Sequence, residues 1–388
     1  MKISDKAKHA ILLGVLCSVS YLAVYIARNI LSAVTPQMIS SGIKKEYIGS
    51  VSSLYFIFYA GGQLINGAIG DKIKAKYMIS FGLLLAGVMN FIFPYVINYQ
   101  YGAMVVYAMT GFFLSMIYGP MTKVVSENTE PLHATRCSLG YTFASFLGTP
   151  SAGVLATLFV WQTAFTVSSL TLATMAVIAF IFFAVFEKKG IVKYGLYKPQ
   201  KKSLGNIKVL FKHKIVKFSL ISIITGIVRT SVVFWLSTYF MEYLGLSPEL
   251  SSSIFSIATF IISLTTFIAV FVYEKTGYNL DRTVLIMFSS ATICFTLTYF
   301  VKLPVLNIVF IVLSIMSSGG AASMLYSRYC PSLRDTGMVS SVTGFLDCLS
   351  YIAAASANII FANASTTLGW GNLILVWLGL MVLGDTSR

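Results

Sequence analysis

Apolar runs of membrane-spanning length, on the order of 20 residues, recur from one end of the chain to the other, separated by short polar stretches. Their spacing predicts twelve helices, at about 10–38, 48–70, 77–97, 101–125, 136–159, 163–186, 216–242, 249–273, 283–301, 304–327, 338–362 and 367–384. The longest polar stretch, Glu187–Lys214, divides six spans from six and reads as a basic connector. Either a solvated linker or a short surface helix around Leu204–Phe211 suits its composition. The pattern therefore predicts an all-α integral membrane protein, with an N-terminal bundle at 1–186, a linker at 187–214 and a C-terminal bundle at 215–388.

Charge adds a direction to this pattern. Of the 28 Lys and Arg residues, 23 fall in the termini and in alternate loops, which positions both termini in the cytoplasm of a cell-membrane protein. The net charge of +15 is then accounted for by anionic lipid at the inner surface, and no nucleic-acid site is needed. Composition agrees, at 57% hydrophobic and 11% charged, against roughly 25% charged in a soluble domain. The five cysteines lack metal-ligand spacing, no Gly-rich phosphate loop occurs, and no catalytic cluster stands out. We expect no enzyme, no metal and no cofactor, with a monomer as the working unit.

Two basic residues escape the loop pattern. Arg28 lies within YLAVYIARNILSAVTP, with no other charged residue between Lys8 and Lys44, and Arg229 lies about halfway between Lys217 and Glu242. A charge at the middle of a spanning helix costs from ~3 to ~10 kcal/mol or more, so it faces protein or a cavity and marks a candidate site. A structural arginine satisfied by carbonyls or a buried acid is the plainer reading of either one alone. Each half, however, opens with a helix carrying one arginine. Two six-helix halves related by an axis along the membrane normal are the architecture of the major facilitator superfamily, which the chain resembles.

The loop motif NGAIGDKIKAKY, Asn66–Tyr77, is similar to that superfamily's signature between its second and third helices. Gly67 permits close packing, Asp71 is an acceptor for a facing helix end, and Lys72 anchors at the inner leaflet. The counterpart YEKTGYNLDR keeps an acid and flanking bases but has lost the pattern.

A narrower resemblance rests on three stretches. The opening helix pair through Asp71, the segment VRTSVVFWLSTYF, and the small-residue run GMVSSVTGFLDCLSYIAAASANIIFANASTTLGWG are similar to the organophosphate:phosphate antiporters, the bacterial glycerol-3-phosphate and hexose-phosphate carriers. The resemblance implies that Arg28 and Arg229 bind the phosphate of the substrate. Their chemistry agrees, because guanidinium meets phosphate through planar forked contacts. It also implies cavity positions for Tyr25, Tyr118 and Tyr326, and a basic inner position for Lys123, where lipid-facing snorkelling is the plainer alternative.

Two departures bear on the ligand. Gln63 stands where the family has a lysine, and Ala144 where it has a histidine; His9, His133 and His213 all lie outside the predicted spans. Asp347 is an added acid inside a span, read either as a structural partner of an arginine or as a proton carrier. The expected function is alternating-access transport of an organic phosphate or related anion, in exchange for inorganic phosphate. A proton-coupled organic-anion symporter using Asp347 and a transporter-like sugar-phosphate sensor remain open as alternatives.

Overall fold

The computed structural model describes residues 5–70, 73–194, 211, 214–332 and 339–386. Among these there is no strand. The helices are α1 Asp5–Ser40, α2 Lys45–Gly70, α3 Ala75–Val96, α4 Gln100–Asn128, α5 Pro131–Leu158, α6 Trp161–Lys188, α7 Ile215–Glu242, α8 Pro248–Lys275, α9 Leu280–Phe300, α10 Pro304–Tyr329, α11 Val339–Thr367 and α12 Gly369–Thr386. Eleven are long and apolar enough to cross a membrane. In α5 the described apolar stretch is Phe143–Leu158, within a helix of 28 residues.

Helix starts follow local chemistry. Ser247 accepts the Leu250 amide at 3.2 Å and Asn279 accepts that of Arg282 at 2.9 Å, each satisfying an orphan donor of the first turn. Pro131, Pro248 and Pro304 occupy first-turn positions, where a missing N–H costs nothing. The helices that carry the two arginines also stop alike. Gly42 follows α1 with φ +92° and Gly245 follows α7 with φ +70°, a left-handed turn that glycine adopts without a Cβ clash.

The chain forms two compact units. The first comprises residues 1–38 and 54–200, the second 39–53 and 201–388. In the first, α3 packs along α4 and α6; in the second, α9 packs along α10 and α12, and α7 along α11. Large apolar side chains such as Phe81, Phe91, Val177 and Phe180 point outward, as expected where lipid is the solvent. Small polar residues occupy the seams and return their hydroxyl protons to their own helix: Ser20 to the Leu16 carbonyl at 2.8 Å, Thr225 to that of Ile221 at 2.7 Å.

Residues 39–53 belong to the second unit because of what they touch. Lys45 Nζ lies 2.5 Å from Glu242 Oε2, and the same oxygen accepts Trp370 Nε1–H at 2.8 Å. Thr366 donates to Glu46 Oε1 at 2.8 Å. Gly49 sits directly on α11, where a Cβ would stand 2.7 Å from that of Ala362. Outside the spans, Lys6 bonds Glu130 at 2.9 Å and holds its carboxyl below the usual range.

Of the sequence expectations, the twelve helices are present. The surface helix around Leu204–Phe211, together with Asp71 and Lys72, lies outside the described residues apart from Phe211 itself. Helix α6 ends at Lys188, two residues beyond the predicted edge of the N-terminal bundle.

Candidate functional site

Arg28 is part-buried in the first unit, on a stretch of α1 that is regular α-helix from Asp5 to Ser40. Its guanidinium carbon lies 4.9 Å from the Tyr59 ring centroid, 5.2 Å from Tyr25 and 5.7 Å from Phe56. Three aromatic faces thus surround the cation, each attracting it through the ring quadrupole. Tyr25 is one turn back along α1, and Phe56 and Tyr59 come from α2. Gln63 is half-buried one turn beyond Tyr59 on the same face of α2.

This arrangement depends on Gly148 of α5. A Cβ there would collide with that of Tyr25 and stand 3.1 Å from its carbonyl carbon. The α1 backbone at the arginine turn therefore rests on bare α5 backbone. Below it, Tyr21, Tyr25, Tyr118 and Tyr141 form a cluster, with Tyr21 centred 5.0 Å from Tyr25, 5.5 Å from Tyr118 and 6.2 Å from Tyr141. Lys123 donates to the Gly70 carbonyl at 3.3 Å, at the C-terminal end of α2, where a cation complements the helix dipole. Gly67 lies within α2.

Arg229 has different surroundings. It falls within Ile227–Val232, where α7 widens into a π-helical turn. The seam between α7 and α11 explains the widening. Ser222 donates to the Leu346 carbonyl at 2.7 Å, Gly226 lies against Ser350, and Ser231 donates to the Ala354 carbonyl at 2.7 Å. Successive contacts advance by four residues on α11 but by four and then five on α7. The extra residue is absorbed at the arginine turn, the kind of insertion found at functional sites.

Arg229 Nη2 lies 3.8 Å from Asp347 Oδ1, and its guanidinium carbon 5.7 Å from the Tyr326 ring centroid. Tyr326 belongs to a second π-helical turn, Leu325–Tyr329 in α10. Its hydroxyl is 3.5 Å from Asp347 Oδ1 and 3.4 Å from Ser222 Oγ. Both charged side chains retain solvent-accessible area, 42% for Arg229 and 28% for Asp347.

The structure thus gathers Arg28 with Tyr25 in one unit, and Arg229 with Tyr326 and Asp347 in the other. Sequence reading passed over Phe56, Tyr59 and Gly148 in the first unit and Ser222 in the second. The helical spacing of Phe56, Tyr59 and Gln63 on α2 was the available signal. Among the described residues no group of three or more His, Cys, Asp or Glu is placed to hold a metal.

Twelve apolar helices in two units, with arginines at the centres of two spans, define a multi-pass membrane protein of transporter type. Residues 17–384 match the Major Facilitator Superfamily, and the chain belongs to that family as a transporter-type protein and not an enzyme. It is 30% identical over 76 residues to the membrane sensor protein UhpC of Salmonella typhimurium, a match covering 19% of this chain and 17% of that protein. It is 23% identical over 259 residues to the glycerol-3-phosphate transporter of Bacillus subtilis, covering 60% of this chain and 57% of that one. The chain therefore spans only part of these relatives.

Solved structures agree on the fold. A bacterial homologue of the human lysosomal transporter Spinster, in an inward-facing unoccupied form, has a TM-score of 0.81 at 10% identity, covering 98% of this chain and 96% of its own. A mutant of the nucleoside transporter NupG has a TM-score of 0.76 at 15% identity, covering 97% and 98%.

Proposed function

We propose that the protein is a secondary transporter of an organic phosphate, exchanging it for inorganic phosphate, with Arg28 and Arg229 as the residues that bind the phosphoryl group. The observation that carries this reading is the matched pair: one mid-span arginine in each unit, on the corresponding helix, each beside a tyrosine ring. Phosphate offers delocalised charge and several acceptor oxygens, the features a guanidinium fork recognises. An anion held by groups from both halves of a repeat binds one conformation better than the others, which alternating access requires. The similarity to a glycerol-3-phosphate transporter supports the same substrate class. The bias of basic residues toward the termini and alternate loops supports a cytoplasmic position for both termini.

The test is counterflow of labelled inorganic phosphate against glycerol 3-phosphate in proteoliposomes. Wild-type protein exchanges the two, and Arg28→Lys and Arg229→Lys each reduce exchange at least a hundredfold while the protein remains folded. A point ammonium cannot reproduce forked contacts. Undiminished flux through either variant would defeat the two-arginine assignment.

The 76-residue similarity to a membrane sensor protein favours a second reading, a receptor that binds a phosphate ester and signals without translocating it. Saturable binding of glycerol 3-phosphate with no counterflow would select it.

A further inference from the structure

Asp347 is not used by the proposed transport reading, and it is costly to keep. A carboxylate inside a span is expensive to insert, and this one stands 3.8 Å from the guanidinium to which that reading assigns the substrate. That separation exceeds the ~2.7–2.9 Å of a charge-assisted hydrogen bond. The two groups are close enough to cancel charge, yet they are not locked in a forked pair. Both also keep accessible area, so an incoming anion can reach Arg229 while Asp347 stays nearby.

We propose that Asp347 determines the charge of the anion the site accepts. It selects singly charged organic phosphates, meaning phosphodiesters or monoesters that carry one proton, over doubly charged monoesters. This inference rests on the organic-phosphate reading for its substrate class and on the geometry of α7, α10 and α11 for its charge rule.

The geometry limits how far apart the charges can be. A ligand oxygen at hydrogen-bond distance, ~2.8 Å from Arg229 Nη2, lies within about 7 Å of Asp347 Oδ1. At that range each unit of ligand charge meets a repulsion of tenfold or more in affinity for an effective dielectric of ~20. A dianion meets it twice. The backbone that carries Asp347 is fixed, since Ser222 of α7 donates to the adjacent Leu346 carbonyl at 2.7 Å. Its Cα therefore stays beside Arg229 when a ligand arrives.

The experiment measures affinities of the purified full-length protein in nanodiscs at pH 8, where glycerol 3-phosphate is a dianion and glycerophosphoglycerol a monoanion. The readout is the ratio of the two affinities. Asp347→Asn is expected to shift that ratio at least tenfold toward glycerol 3-phosphate, and Asp347→Glu to leave it near the wild-type value. A ratio unchanged within twofold in a folded Asp347→Asn protein overturns the proposal. If that variant does not fold, Asp347→Ser supplies the same neutral comparison.

A parallel pair, lactate and malate, separates this inference from the reading beneath it. If no phosphate probe binds but Asp347→Asn shifts the lactate-to-malate ratio toward malate, the organic-phosphate reading fails and the charge rule stands. If phosphate probes bind and exchange while neither ratio moves, the charge rule fails and the reading stands. Failure of every anion to bind wild-type protein overturns both.

Discussion

Arg28 and Arg229 each lie on a long helix of a different unit, α1 and α7, yet the two units accommodate them by different means. In the first unit the cation is enclosed by three aromatic faces, which attract it without supplying any negative charge. In the second it has one ring and a carboxylate, which subtracts a full charge. The helix beneath Arg28 is uninterrupted, whereas the helix beneath Arg229 carries an inserted residue in a π turn. Insertion of an arginine into a membrane span thus sets the same energetic problem twice. An aromatic solution preserves the electrostatic pull on an anion, and an acidic one attenuates it.

The severest way to break this comparison acts on the close contacts under each arginine. Gly148→Leu forces α5 away from the Tyr25 turn of α1, and Gly226→Leu forces α7 away from Ser350, whose Cα would lie 2.7 Å from the new Cβ. Overpacking of this kind costs ~1–3 kcal/mol or more. Because the colliding atoms include backbone, the upper part of that range applies. Both variants are expected to melt several degrees below wild type by fluorescence-monitored unfolding and to lose anion binding. An unchanged melt for either would mean its helices adjust freely, contrary to the packing seen.

These glycines also show what a sequence reader can and cannot reach. Twelve helices and the two intramembrane arginines follow from hydropathy and charge, because a membrane leaves few ways to place a charge or a polar loop. The Arg229–Asp347 proximity was suggested by the presence of one acid in one span, but α7 and α11 had to be folded to show that the two face each other. Gly148 was unreadable for a different reason. In a chain with 29 glycines, composition does not distinguish one that contacts a tyrosine backbone from one that contacts nothing, such as Gly61. The π turn was equally hidden, since it arises from a mismatch of register between two helices distant in sequence.

A middle-sized effect isolates that register. Deleting Ile227 removes the extra residue, so that Ser222, Gly226 and Ser231 would advance evenly against Leu346, Ser350 and Ala354. The seam survives, but Arg229, now two residues after Gly226 instead of three, is carried roughly 40° around the axis relative to that contact. The deletion is expected to yield a folded protein that binds inorganic phosphate at least tenfold more weakly. Retained binding would show that the π turn serves helix packing alone. No corresponding deletion exists on α1, where the helix is regular through Arg28.

The smallest effects come from the rings themselves, and they sharpen the contrast between the units. Tyr59→Leu removes the nearest aromatic face from Arg28, and a cation–π contact of this kind is worth ~0.5–2 kcal/mol, so phosphate affinity should fall from about twofold to about thirtyfold. Tyr59→Phe keeps the face and should restore most of it. In the second unit Tyr326→Phe also keeps its ring over Arg229, and it deletes only a hydroxyl whose contacts with Asp347 and Ser222 are 3.5 and 3.4 Å long. Hydrogen bonds at such lengths are weak, and the expected change in affinity is under threefold by isothermal titration. A large loss in Tyr326→Phe would transfer weight from the Arg229–Asp347 pair to the phenol that links Asp347 to Ser222. The second unit would then work through a hydrogen-bonded network, in contrast to the aromatic faces around Arg28 in the first.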